Sequence, residues 1–212
     1  MIYLKSIQLR DGDLFCSDIK ANDIDNLNKV FQLRHEIFVK NLKWVKNNDD
    51  KLESDKYDKN SIIFAVFLNK EILGTVRVIL PTEKFMLEDD FHYLLDENHT
   101  IIKNKAIEIS RLGVKSEIKD NPKLKKRVVM LLYKTLYKWA SENDIRYFYF
   151  VSTEKFLNSL DSRFSIPIHL FKKIASAPNC PKYRAALIDL KESEKIVQKF
   201  KIAIYNFFTK TS

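Results

Sequence analysis

An arginine in an apolar helical stripe asks for carboxylates, and this chain supplies them shortly downstream. Arg34 lies three positions after Phe31 and four before Phe38, so helical spacing puts it on the inward stripe of those residues. Left unpaired away from water, its guanidinium would cost several kcal/mol. Glu53, Asp55 and Asp58 then place three acids within six residues, an arrangement that repels itself unless cations collect it. Two readings fit. One is an ionic network that shapes a polar site; the other is a solvated acidic loop beside an arginine that snorkels to the surface. Arg77, inside the apolar run 72–80, asks for an acid in the same way.

Glu108 and Arg111 interrupt a second apolar run, Ala-Ile-Glu-Ile-Ser-Arg-Leu-Gly-Val at 106–114. In a regular strand a three-residue offset puts their side chains on opposite faces. A β-bulge would bring both to one face and release a backbone N–H able to bind a carbonyl oxygen. Glu108 is then a candidate general base for an ammonium nucleophile, acting directly or through one water. The structural alternative is a Glu108–Arg111 ion pair with no chemistry attached.

These residues must be held by elements that the hydrophobic pattern outlines. Residues 23–40 carry apolar positions at helical spacing with Asn22 or Asp23 as cap. The stretch 47–60 reads as loop. Residues 61–68 and 72–80 form a hairpin around Asn69-Lys70-Glu71, and 106–114 is a further strand. Residues 124–142 make a long helix and 146–151 an aromatic strand. Helices at 154–160 and 168–175, a strand at 183–190 and a basic amphipathic helix over about 192–208 complete the chain, with an extra strand at 2–9 and a short helix and loop over 86–98. This order predicts a mixed α/β (α+β) fold, a single domain over 1–212 with a central, mostly antiparallel sheet flanked by helices.

Composition sets outer bounds. The 212 residues suit one domain with a real core, and the balance of 37 basic against 28 acidic residues gives a net charge of +9, which favours an acidic partner. Two cysteines, without metal-ligand spacing, read as reduced structural thiols, and no metal site is expected. The N-terminal stretch has no apolar core of the signal-peptide kind, and the longest apolar run, 62–68, is far too short to span a bilayer. The expectation is a soluble, cytoplasmic protein. The aromatics of 146–150 lie in an apolar strand and read as core, which argues against nucleic-acid binding.

Arg34, Phe38, Trp44, Glu53, Asp55 and Asp58 stand as R-x3-F-x5-W-x8-E-x-D-x2-D, and that pattern resembles the signature of the acyl-homoserine-lactone (autoinducer) synthases. The resemblance continues through Arg77, Leu80-Pro81-Thr82, Met86-Leu87, Phe91 and Glu108-Ile-Ser-Arg111, covering roughly residues 25–155. It implies a GNAT-like fold, an acyl donor on acyl carrier protein and an amino-acid-derived acceptor, S-adenosylmethionine, with no tightly bound cofactor. By that resemblance Arg34, Glu53, Asp55, Asp58, Arg77 and Arg111 form the ionic network on the acceptor side. Phe38 and Trp44 form a lid, Glu108 is the base acting through water, and Ser152 and Thr153 line the acyl pocket.

Other features resemble a sister group, the long-chain N-acyl amino acid synthases and exosortase-associated acyltransferases. Three residues separate Arg77 from Pro81 where the lactone synthases have two, and the phrases at 74–77, 108–114 and 183–190 match that group as well. An acyl amino acid is therefore the alternative product, and a catalytically silent acyl- or carrier-binding module is the alternative from another class. Ahead of the long helix, 121–127 contains no glycine, so the backbone cradle that holds pyrophosphate in acetyl-CoA-dependent relatives is a poor fit. Lys119, Lys123, Lys125, Lys126 and Arg127 suit docking of an acidic carrier protein; the alternative is a solvated face. The C-terminal helix is expected to pack on its own core rather than on a membrane.

Overall fold

The elements follow one another as β1 (Gln8–Asp11), β2 (Leu14–Ile19), α1 (Ile24–Arg34), β3 (Ser61–Leu68), β4 (Glu71–Ile79), β5 (Ala106–Val114), α2 (Pro122–Glu142), β6 (Tyr147–Thr153), α3 (Glu154–Phe164), β7 (His169–Leu170), β8 (Ala175–Ala177), β9 (Cys180–Asp189), α4 (Leu190–Phe200) and α5 (Ile202–Thr209). They are seen in a computed structural model that describes residues 4–46, 49–164, 166–200 and 202–209. The chain forms two units. Of the described residues, one comprises those up to Val78 with Arg111–Asn143; the other comprises Ile79–Ser110 with those from Asp144 onward.

In the first unit the strands lie in the order β1-β2-β3-β4, with β1/β2 and β2/β3 antiparallel. Asn69 and Lys70 both have positive φ (56° and 93°), the geometry of a two-residue turn that matches strand twist and closes the β3–β4 hairpin. β3 is buried on both faces, which is why it reads as an unbroken apolar run. Ile63, Ala65 and Phe67 join Val30, Leu33, Ile37 and Phe38 in one cluster. Phe64 points the other way and meets Trp139 of α2 edge-on, ring centroids 5.8 Å apart. Gly74 permits that side to close: a Cβ there would stand 2.8 Å from Val128 Cγ1 of α2.

The second unit holds one parallel pair. Residues 106–109 of β5 run beside 147–150 of β6, and β6 pairs antiparallel with β9 along its whole length. Pairing with β5 thus stops at Phe150, while β6 continues to Thr153. β7 and β8 add antiparallel contacts on β9. Val197 of α4 is buried, and Phe208 of α5 meets Phe164 of α3 with ring centroids 5.8 Å apart, so the C-terminal helices pack on the protein. Among the described residues no helix is long and apolar enough to cross a membrane. Both cysteines are free; burial pushes the Cys16 thiol up to about 12, which makes it a packing group.

The mixed, mostly antiparallel sheet flanked by helices agrees with the sequence reading, and several elements differ from it. The strand expected at 2–9 is displaced to β1 and is followed by β2, which the reading missed; Ile2 and Tyr3 lie outside the described residues. Gly12-Asp13 turns between them with Gly12 at φ 60°, a hairpin signal that was legible. The helix expected at 168–175 is absent: its place holds β7 and β8, because the edge of β9 offers unpaired N–H and C=O groups that a strand satisfies and a short helix cannot. The helix expected over 192–208 is two helices, and Lys201 between them lies outside the described residues. The helix expected at 23–40 is α-helical to Arg34 and continues as a π-helical turn over His35–Asn41. Of the 47–60 loop, Asn47 and Asn48 lie outside the described residues.

Candidate active site

Three arginines and three carboxylates form a closed ring in the first unit. Arg34 Nε donates to Glu53 Oε2 at 2.5 Å, and its two terminal nitrogens donate to the two oxygens of Asp58 at 2.6 and 3.1 Å. Arg111 donates from Nε and Nη2 to Glu53, at 2.8 Å for Nη2 to Oε1, and from Nη2 to Asp55 Oδ2 at 2.9 Å. Arg77 Nη1 closes the circuit, donating to Asp55 Oδ1 at 2.5 Å and lying 3.0 Å from Asp58 Oδ1. The order Arg34–Glu53–Arg111–Asp55–Arg77–Asp58 alternates in charge and sums to zero. Alternation lets six ionic groups leave bulk water together, since each has opposite charges as its nearest neighbours.

Local structure explains how each member arrives. α1 begins where the Asp23 side chain accepts the Asn26 N–H, and its inward stripe carries Arg34 to full burial. The Glu53 N–H donates to Phe31 O at 3.0 Å, which pins the acidic segment against α1. Asp58 Oδ2 accepts the Asp55 N–H at 2.7 Å, and Asp55 Oδ1 accepts the Tyr57 N–H at 2.9 Å, so the acids order their own loop. Each arginine also lies over an aromatic face: Arg34 over Phe31 (5.2 Å), Arg77 over Tyr57 (5.8 Å) and Arg111 over Phe38 (5.6 Å). The sequence reading missed Phe31 and Tyr57 in this role, although Phe31 shares the stripe of Arg34 and Tyr57 stands inside the acidic segment.

Arg111 has φ 52° in the middle of β5, a local departure from extended strand geometry. A side chain with a Cβ in this left-handed region costs about 1–2 kcal/mol, and four hydrogen bonds from its guanidinium to Glu53 and Asp55 hold it there. Phe38 is buried in the core beside Gly113, whereas Trp44 is 42% exposed, its ring centroid 6.4 Å from that of Phe38. The Trp44 backbone N–H donates to Phe38 O at 2.9 Å, which fixes the root of the indole beside the π-helical turn.

Electrostatics decide how firmly the ring holds. Burial works against the charges of Glu53 and Asp58, but Arg111 and Arg34 around Glu53, and Arg34 and Arg77 around Asp58, outweigh it. Both carboxyls are held below their ordinary values of 4.5 and 3.8. Burial likewise opposes the Arg34 charge, and Asp58 and Glu53 overcome it and raise its pKa. A carboxyl harder to protonate folded than unfolded contributes its stability above the unfolded value and loses it as pH falls through the folded one. The urea midpoint should therefore hold steady from pH 7 to about 5 and fall steeply below the 4.5 and 3.8 of ordinary carboxyls. A midpoint flat to pH 3 would show that these groups carry no such linkage.

In the second unit Glu108 is 1% exposed, and its carboxylate accepts the Met86 N–H at 2.5 Å and the Leu87 N–H at 3.2 Å. Those amides open a 3-10 turn, Met86–Glu88. Ser152 and Thr153 lie half-buried at the end of β6, and the Thr153 hydroxyl accepts the Phe156 N–H at 3.3 Å, capping α3. In the expected docking patch Lys119, Lys123, Lys125 and Lys126 are exposed. Arg127 instead binds Asp11 and Asp13 through its guanidinium, at 2.8 and 2.9 Å, and so ties α2 to the β1–β2 turn. Among the described residues no group of three or more His, Cys, Asp or Glu could hold a metal ion.

A family model described as autoinducer synthase matches residues 18–195. The chain is 27% identical over 158 residues to an acyl-homoserine-lactone synthase of Aliivibrio fischeri, covering 72% of this chain and 80% of that one. The fold is similar to that of the AHL synthase LasI, with a TM-score of 0.76 at 18% identity, over 98% of this chain and 100% of the other. It is also similar to BjaI, a CoA-dependent acyl-homoserine lactone synthase seen with SAM and isopentyl-CoA (TM-score 0.70, 19% identity, 83% and 82% covered). A GNAT-family acetyltransferase of Staphylococcus aureus shares the architecture at a TM-score of 0.51 and 13% identity, over 84% and 99% of the two chains, so the fold is GNAT-like.

Proposed function

The chain belongs to the autoinducer synthase family, and on that premise we propose that it transfers a fatty acyl group from acyl-acyl carrier protein to the amino group of S-adenosylmethionine. The observation that carries this reading is the neutral ring of Arg34, Glu53, Arg111, Asp55, Arg77 and Asp58. It gives an acceptor that carries both an ammonium and a carboxylate a rigid border with donors and acceptors of both signs. Trp44, exposed and anchored through its backbone to Phe38, serves as the lid over that acceptor, and Ser152 with Thr153 borders the acyl chain. Residues 1–212 act as one acyltransferase domain.

In the reaction the acceptor ammonium loses a proton to Glu108 through water, and its nitrogen attacks the thioester carbonyl. A backbone N–H near the break at Arg111 holds the oxyanion. The carrier thiolate leaves and takes up a proton as the amide forms. The acceptor's own carboxylate then attacks its γ-carbon, closes the lactone and expels methylthioadenosine.

The donor is read from the start of α2. Pro122 has no N–H, and the Asn121 side chain already accepts the Leu124 N–H at 3.0 Å, so the helix end is capped by its own chain and lacks the glycines of a pyrophosphate cradle. The four exposed lysines there offer a basic face to an acidic carrier protein. Reversing Lys123, Lys125 and Lys126 to glutamate should raise KM for acyl-acyl carrier protein about tenfold or more at low salt and leave KM for S-adenosylmethionine unchanged. An unaltered KM for the carrier would remove the docking assignment.

The reading as a whole is tested by incubating the protein with acyl-acyl carrier protein or acyl-CoA, each with S-adenosylmethionine or free amino acids, and identifying products by mass spectrometry. Acyl-homoserine lactone from the carrier-bound donor is the expected product. An acyl amino acid, or lactone from CoA alone, would overturn the acceptor or the donor respectively.

A further inference from the structure

Lys103 stands outside the ionic ring, and its ammonium makes three contacts of different kinds on one short segment. It donates to Glu83 O at 2.7 Å, forms an ion pair with Glu88, and lies 3.5 Å from the centroid of the Phe85 ring. Its two oxygen partners bracket residues 83–88. Glu88 also accepts the Phe85 N–H at 2.7 Å, and the Glu88 N–H donates to Phe85 O at 3.0 Å, so the turn between them is fastened reciprocally. Inside that turn stand the Met86 and Leu87 amides that Glu108 accepts.

Every partner of the ammonium is thus bound to the peptide that orients the buried carboxylate. The base of the lysine is fixed as well. The Ile102 N–H donates to the Tyr149 hydroxyl at 3.1 Å, and Lys103 O accepts the Ala106 N–H at 3.2 Å at the start of β5. Lys103 and Glu88 are each about a quarter to a third exposed (31% and 27% of the side chain). A partly exposed ion pair of that kind contributes little to stability. A pair so weak in stability, yet tied at both ends to the 83–88 segment and to the approach to β5, is placed to set geometry.

We propose that Lys103 is a positioning residue: through Glu88, Glu83 and Phe85 it holds the Met86 and Leu87 amides on Glu108 and so sets the carboxylate's orientation for acyl transfer. The inference rests on the reading of Glu108 as the base. Methionine at 103 keeps the stem and removes the ammonium; arginine keeps the charge. Lys103→Met should lower kcat roughly 10- to 100-fold, the scale expected when a reacting group shifts by about 1 Å, with KM for the acceptor and the melting temperature close to wild type. Lys103→Arg should recover a large part of the loss. Glu88→Gln should match Lys103→Met, and the double variant should be no worse than either single one, because both cut the same link.

Hydrogen exchange at the Met86 and Leu87 amides reads the link without any turnover: it should be slow in the wild type and faster by tenfold or more in Lys103→Met. Wild-type kcat in Lys103→Met would overturn the proposal even with faster exchange, and unchanged exchange would overturn it even with lowered kcat. A wild-type protein that transfers no acyl group would sink the functional reading itself, and the exchange rates would then still decide whether Lys103 holds the turn.

Discussion

Replacing Glu53 by alanine is expected to destabilise the protein by about 3–5 kcal/mol, the cost of leaving a buried cation without its partner. Glu53 is 3% exposed and lies between two arginines, one of them fully buried. Its removal turns a neutral ring into one with an excess positive charge, which the surrounding protein cannot solvate. Against a typical total of about 5–15 kcal/mol, that is a large share. The ring's topology also predicts the compensation. Removing Arg34 together with Glu53 leaves Asp58–Arg77–Asp55–Arg111, a chain of four alternating charges that is again neutral. Asp58 keeps Arg77 and the Asp55 N–H, and Arg111 keeps Asp55. Arg34→Met with Glu53→Leu should therefore recover most of the stability lost in Glu53→Ala. Acyl transfer should stay low in both variants, since the acceptor's border is broken in each. Urea unfolding of the three proteins measures the first claim and steady-state kinetics the second. A double variant as unstable as the single one would mean that packing, not charge balance, sets the cost; a double variant with wild-type kcat/KM would remove the ring from acceptor binding.

How much of this was legible in the sequence depends on the range of the forces involved. The need for the ring was readable, because an inward arginine and three crowded acids are each unfavourable alone and their remedy is mutual. The pairing was not. Which two arginines each acid takes follows from the approach of β5 to the 53–58 loop, and no local pattern records that distance. The β3–β4 hairpin and α2 were legible from period and turn chemistry. β7 and β8 were not, because a two- or three-residue strand is stabilised by the edge it joins and carries no pattern of its own. Arg127 shows the same limit: as one of a run of basic residues it looked like docking surface, and only the β1–β2 turn, missed in the sequence, explains why it is engaged with Asp11 and Asp13. Thr153 likewise reads as a strand-end hydroxyl until α3 is seen to begin on it.

Glu108 is where geometry and chemistry must be separated by experiment. Its carboxylate accepts two adjacent backbone amides, so it orients the Met86–Leu87 turn whether or not it moves a proton. Glutamine at 108 keeps the length and can still accept one of those amides, but it cannot take a proton from an ammonium. Aspartate keeps the charge and falls short by a methylene. If Glu108 is the base, Glu108→Gln should lose kcat by about 100- to 10,000-fold, the usual contribution of general base catalysis. KM for the acceptor should change only a few-fold. The residual rate of Glu108→Gln should also climb with pH as the fraction of unprotonated amine grows, because the variant depends on an acceptor that arrives already deprotonated. Glu108→Asp should lie between glutamine and wild type and keep the wild-type dependence on pH. If the carboxylate only orients the turn, the order reverses: glutamine, which reaches the amides, should outperform aspartate, and neither profile should steepen. Single-turnover rates across pH 6 to pH 9 (roughly the range in which an α-amino group titrates) distinguish the two, and a Glu108→Gln enzyme with wild-type kcat would end the assignment of Glu108 as base.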